Sequence, residues 1–172
     1  MPLFSFEGAE PKIHPSAWVA PTATLIGDVT IEADASIWYG AVLRADFGPI
    51  VISTGANIQD NSVIHTTPQA TVIGAGATVG HLCVIHGCAI GDEALVGNGA
   101  TVQDGARIGD RALVAAGALV APGTVIDPET MAVGVPAKQK PLTETARRWV
   151  LTNAAVYQDL ASRHKASAHP AG

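Results

Sequence analysis

Aromatic residues make up only 5% of this 172-residue chain, and charged residues only 15%. A core must therefore be assembled from small and branched side chains, since the large rings that often dominate core energetics are few. Basic residues are outnumbered, ten Lys plus Arg against fifteen Asp plus Glu, for a formal net charge of −5. Nucleic acid and an anionic membrane surface both demand a basic face, so neither is expected as a partner. Two cysteines, Cys83 and Cys88, cannot form a disulfide framework. The longest apolar stretch, Ala112 to Ile126, is broken by Gly117, Pro122 and Gly123 and falls short of the ~18 residues of a spanning helix. The opening MPLFSFEG shows neither the basic n-region nor the apolar h-region of a signal peptide, so a cytoplasmic location is expected. Hydrophobic residues nevertheless reach 48%, too many for a disordered chain, and the length suits one domain.

What fills the sequence instead is a period of six. From Ile13 the chain reads IHPSAW, VAPTAT, LIGDVT, IEADAS, IWYGAV, LRADFG, with an aliphatic residue opening each hexad. Three extra residues precede Ile52, and Ile58 and Ile64 follow in phase. Three more precede Ile73, Val79 and Ile85. One residue is then dropped, and the series runs on through Ile90, Val96, Val102, Ile108, Val114, Val120 and Ile126. All nineteen openers are Ile, Leu or Val, and in twelve hexads the residue four positions later is Ala. Neither a helix nor an open strand has this repeat. It suits a coil of short strands joined by tight corners, with the large residue pointing inward and the small one beside the bend. Residues 1–140 are assigned to this domain, with AVGVPAKQKP (132–141) as a Pro-punctuated linker at its end, a C-terminal helix to 141–166 with Thr143 as N-cap, and a frayed tail to 167–172. Trp149, Asn153, Val156, Tyr157, Leu160 and His164 define the helix face expected to lie on the coils.

If three hexads make one coil, as in the bacterial hexapeptide-repeat transferases that this repeat resembles, residues three hexads apart stack. Arg44, His65 and His86, each directly after an opener, then form one outward column. Strands ~4.8 Å apart allow two imidazoles to converge on one metal ion. His81 lies on the neighbouring face, stacked with Asp60, and can hardly turn the corner to join that pair. A copy from a second subunit can, and three-sided prisms commonly associate as trimers. Each interface would then offer three histidines and an open position. His14, His164 and His169 read as solvated surface residues. Cys83 occupies a small inward slot, while Cys88 is left open.

The repeat resembles the bacterial hexapeptide-repeat transferases, which implies a left-handed parallel β-helix, here of about six coils, with the C-terminal helix packed outside. The segments AVLRADFGPIVI, GANIQDNSVIH and VGHLCVIHGCAIG resemble, more specifically, the γ-class carbonic anhydrases and their homologues. That resemblance implies a homotrimer with Zn²⁺, or Fe²⁺ or Co²⁺, held at subunit interfaces by His65 and His86 of one chain and His81 of the next. It implies an Arg44–Asp46 pair at the interface and a catalytic segment of Asn57, Gln59 and Asp60, with Gln59 orienting the metal-bound water. Tyr157 is the candidate for a helix tyrosine approaching the metal. The implied reaction is CO₂ to bicarbonate, the metal lowering the pKa of its water to roughly 7.

One departure bears on activity. The family's proton shuttling relies on glutamates, whereas Phe47 follows Asp46 here and Thr66-Thr67-Pro68-Gln69 contains no carboxylate. Weak CO₂ hydration is therefore expected. The competing readings are a hexapeptide acyltransferase, a metal-dependent CoA-thioester hydrolase and a non-catalytic trimeric assembly subunit, because one fold hosts many chemistries.

Overall fold

A computed structural model of the chain describes residues 2–169; the expected frayed end at 170–172 lies outside the described residues. Parallel pairing alone dictates the shape. Trp18–Val19 pairs with Ser36–Ile37, which pairs with Asn57–Ile58, then Thr78–Val79, Leu95–Val96, Leu113–Val114 and Thr130–Gly134, all parallel. A second, twelve-stranded sheet bends around the other two faces, with the strands Thr24–Ile31 and Val42–Ile52 running through its corner. Each of the three faces is seven strands deep, so the solenoid has seven coils and not six. The additional coil comes from two openers outside the hexad series. Leu3 pairs with Leu25, and Ala132 fills the inward position above Val114. An Ala opener and an out-of-phase start hid both ends from the periodicity.

The inward positions behave as the period requires. From Leu25 to Ile126 every opener is buried, and the alanines at 17, 23, 35, 41, 56, 77, 94, 100, 106, 112 and 118 are buried beside them. Ile13 and Val19, near the first coil's open end, are only partly covered. Corners are turned by residues at positive φ, mostly glycine, but Asn61, Leu82 and Arg111 also adopt it. At Gly87 the requirement is twofold. Its φ is +54°, and an added Cβ would lie 2.6 Å from Thr67 Cγ2 and 2.9 Å from Asp104 Oδ1. The deleted residue before Ile90 makes this corner tighter than the others.

The helix spans Glu144–Ser167, capped by Thr143 Oγ1, which accepts from Ala146 N at 3.2 Å. Its buried residues are Ala146, Val150 and Ala161, while Trp149 and Val156 are exposed. Of the expected face, Asn153, Tyr157, Leu160 and His164 are partly buried, and Ala146, Val150 and Ala161 complete the packed stripe in place of Trp149 and Val156. His164 overturns its reading as a solvated residue. Its ring packs against Trp18 and Trp38 at centroid distances of 5.3 and 5.0 Å, and its Nδ1 shares a 3.0 Å hydrogen bond with Tyr39 OH. No helix among the described residues is long and apolar enough to cross a membrane.

Both cysteines belong to the core. Cys83 is 1% and Cys88 3% exposed, and burial pushes the Cys88 thiol up to about 12 and raises Cys83 as well. Thiolate is the reactive form, so neither should be alkylated by iodoacetamide at pH 8 in the native protein. Intact-mass analysis should show no adducts before denaturation and two afterwards.

Candidate metal centre at a coil face

Register places the outward column where the period put it. Arg44 pairs with His65, and His65 with His86, on successive coils. The imidazole centroids are 4.9 Å apart, with His65 Nδ1 2.9 Å from His86 Nε2. Each ring has a carboxylate on its other nitrogen. Asp46 Oδ1 lies 2.7 Å from His65 Nε2, and Asp104 Oδ1 meets His86 Nδ1. Arg44 clasps the second oxygen of Asp46. Burial works against ionisation of Asp46, but the hydrogen bonds from His65 and Arg44 outweigh it and hold its carboxyl below the ordinary value.

These contacts fix the tautomers. In neutral rings the N–H donates to the carboxylate, so the lone pair sits on the opposite nitrogen, at Nδ1 of His65 and Nε2 of His86. Those two nitrogens face each other. Two lone pairs 2.9 Å apart repel unless a cation, either a proton or a metal ion, is shared between them.

His81 is separate. It follows the strand Thr78–Val79 of the third face, and Asn98 Oδ1 accepts from its backbone N–H at 3.1 Å. Its Nδ1 is 2.8 Å from Asp60 Oδ2, which leaves Nε2 to accept from Tyr157 OH at 3.3 Å. Burial, and the Asp60 charge after it, raise the Tyr157 phenol, so it stays protonated at neutral pH. The Asp60–His81 neighbours and the helix tyrosine are therefore brought together. His81 and the His65–His86 pair are not. No group of three or more His, Cys, Asp or Glu able to hold a metal exists within one chain among the described residues.

The amide segment is buried and ordered. Asn57 Nδ2 donates to Thr78 Oγ1 at 2.8 Å, and Gln59 Nε2 donates to Asn57 Oδ1 at 3.1 Å. This leaves the Gln59 amide oxygen as an acceptor towards a cleft of about 590 Å³ between the helix and the third face. Gln59, His81 and Tyr157 line one part of it, and Leu95, Leu113, Met131 and Trp149 another. The loop after His65 closes on the corner before it, Thr66 Oγ1 accepting from Gly48 N at 3.2 Å.

Sequence reasoning missed Asp104. Its signal was present: it follows opener Val102 by two positions, as Asp60 follows Ile58. The shortened hexad between Ile85 and Ile90 brings the Gly87 corner under it, where Gly105 N bonds Gly87 O at 2.7 Å.

The residues fit a divalent metal of the zinc class at two positions: neutral imidazoles, each oriented by an anionic partner. Within one chain, no third His, Cys, Asp or Glu completes such a set among the described residues.

No family model matches the sequence. The chain is 39% identical over 171 residues to the carnitine operon protein CaiE of Escherichia coli O157:H7, covering 98% of this chain and 87% of that one. Among solved structures, a hexapeptide transferase family protein from Anaplasma phagocytophilum superposes with a TM-score of 0.91 at 38% identity, covering 95% of this chain and 98% of the other. A Bacillus cereus protein provisionally described as an acetyltransferase gives 0.92 at 36% identity, over 95% and 96%.

Proposed function

Because the chain belongs to the γ-class carbonic anhydrase-like proteins of the hexapeptide-repeat superfamily, left-handed parallel β-helices that include CaiE, we propose that it is a metal-dependent enzyme that hydrates CO₂. It acts as a homotrimer in which His65 and His86 of one subunit and His81 of the next hold Zn²⁺, with Fe²⁺ or Co²⁺ as alternatives. One observation carries the reading: two lone-pair nitrogens face each other on adjacent coils, each ring fixed by its own carboxylate. That no third ligand joins them among the described residues of one chain agrees with a shared site. So does the apolar surface beside the column, where Val63 and Val84 stand in register and are exposed, as are Leu82 and Phe47.

When bound, the metal supplies Lewis acidity and a water whose pKa falls to roughly 7. The protein's own groups do the rest. Asp46, Asp104 and Asp60 hold the histidine tautomers. Gln59, fixed through Asn57 and Thr78, presents an amide oxygen that can orient a donor O–H. Arg44 places a cation for the bicarbonate product, and the protonated Tyr157 can donate to an oxygen near His81.

The carboxylates near the column, Asp46 and Asp104, are committed to imidazole nitrogens, and the 66–69 loop offers none. Proton release must therefore use external buffer or another side chain. Stopped-flow CO₂ hydration by the zinc-replete protein is expected to be slow in dilute buffer and to rise severalfold with added imidazole. Fast, buffer-independent turnover would reveal an internal carrier and remove this account.

A second reading, CoA-dependent acyl transfer, is favoured by the likeness to the Bacillus cereus protein. Acetyl transfer that persists after chelation would select it; equimolar bound metal with chelator-sensitive CO₂ hydration would select the first.

A further inference from the structure

The strand residues just before the openers of the third face form one column in register: Asn57, Thr78, Leu95, Leu113 and Met131. Along it the chemistry changes. Asn57 and Thr78 are hydrogen-bonded to each other, whereas the next three are apolar. Leu113 is covered by Ala146 and Val150 of the helix, while Leu95 and Met131 remain partly exposed to the cleft. Trp149 overhangs them with more than half its surface exposed. Five coils at ~4.8 Å per step make the cleft about 19 Å long.

No Asp, Glu, Lys or Arg lines this space; its polar groups are Gln59, His81, Asn98, Asn153 and Tyr157 and, at the helix start, Thr143 and Thr145. The nearest charge there is the carboxylate of Asp60, held on His81. An anionic head would meet that carboxylate with no fixed cation to offset it. A neutral carbonyl would compete with His81 Nε2 for the phenol donor of Tyr157. A phosphate-bearing group would find no Lys or Arg along the cleft to offset its charge.

We propose that this cleft is a binding site for a linear, neutral acyl compound (an amide, ester or thioester) whose chain lies over Leu95, Leu113 and Met131 and whose carbonyl lies beside Gln59, His81 and Tyr157. Its volume of about 590 Å³ suits a small molecule. CO₂ hydration has no use for the apolar part of this space, so the inference goes beyond the metal reading, although the two share Gln59, His81 and Tyr157 at the polar end.

The test is isothermal titration of the intact protein with butanamide, hexanamide and octanamide, and with octanoate as the charged counterpart at pH 8. Affinity should rise roughly threefold per added methylene along the amide series. Octanoate should bind at least about tenfold more weakly than octanamide. Ala116, exposed on a corner lining the cleft, is replaced by Trp to fill it, and Met131→Glu places a charge at its apolar end. Each variant that retains the native circular-dichroism spectrum should lose octanamide binding. Octanoate binding as tightly as octanamide, no dependence on chain length, or wild-type affinity in either folded variant would overturn the proposal. A protein that binds no metal yet passes these tests would refute the metal reading alone.

Discussion

Ile108→Asp is expected to leave little folded protein at 25 °C, while Arg107→Ser on the same strand should be almost silent. The two residues are adjacent, but strand alternation sends them to opposite sides of the coil wall. Ile108 is 3% exposed and stacks in register between Ile90 and Ile126. An aspartate there would lose the apolar transfer energy and place a carboxylate where nothing can pair with it. Penalties of this kind reach about 4 kcal/mol or more, against total stabilities of about 5–15 kcal/mol. The disruption would not stay local, because each coil is the template for its neighbours. Arg107 is exposed, lies between Ala89 and Val125, and makes no ion pair among those found in the described residues. Its loss should cost within about 0.5 kcal/mol. Urea unfolding followed by circular dichroism separates the outcomes. An Ile108→Asp midpoint near wild type would mean that the inward assignment of the openers is wrong.

The solenoid was legible because one physical requirement repeats along the chain. Ile64 and Ile85 must both point inward, so the residues after them, His65 and His86, must both point outward and stack. Adjacent coils are also joined by direct backbone pairing, so register could be counted. The same arithmetic placed Asp60 next to His81. It failed where the count itself was disturbed. Leu3 and Ala132 lie outside the hexad series, and Asp104 approaches His86 only because a residue is missing at the Gly87 corner. It failed again for the helix, whose position is not set by any repeat. His164 finds Trp18, Trp38 and Tyr39 across more than a hundred residues of sequence. Cys88 resolved as a core residue for a similar reason: the shortened hexad turns it inward.

Complementation between two inactive variants tests the centre and the assembly together. His81→Ala and His86→Ala should each fold, since neither side chain contributes to the inward core, and each should lose nearly all bound metal and metal-dependent activity. They fail for opposite reasons. A His81→Ala chain still presents the stacked pair His65 and His86, and a His86→Ala chain still presents His81 with Asp60 behind it. The pair and His81 lie on different faces of one prism, so no single chain closes the set. In a ring of three subunits, however, one face of each chain meets a different face of the next. Unfolding the two variants together and refolding the mixture should restore an intact site wherever a His81→Ala chain supplies the pair and its neighbour supplies His81. Random assortment gives this at about a quarter of the interfaces, so metal content near that fraction of wild type is expected by elemental analysis. Each variant refolded alone should remain empty. Mixed trimers confirmed by native mass spectrometry but still free of metal would dismiss the shared site. The facing lone pairs of His65 and His86 would then be bridged by a proton and by nothing else.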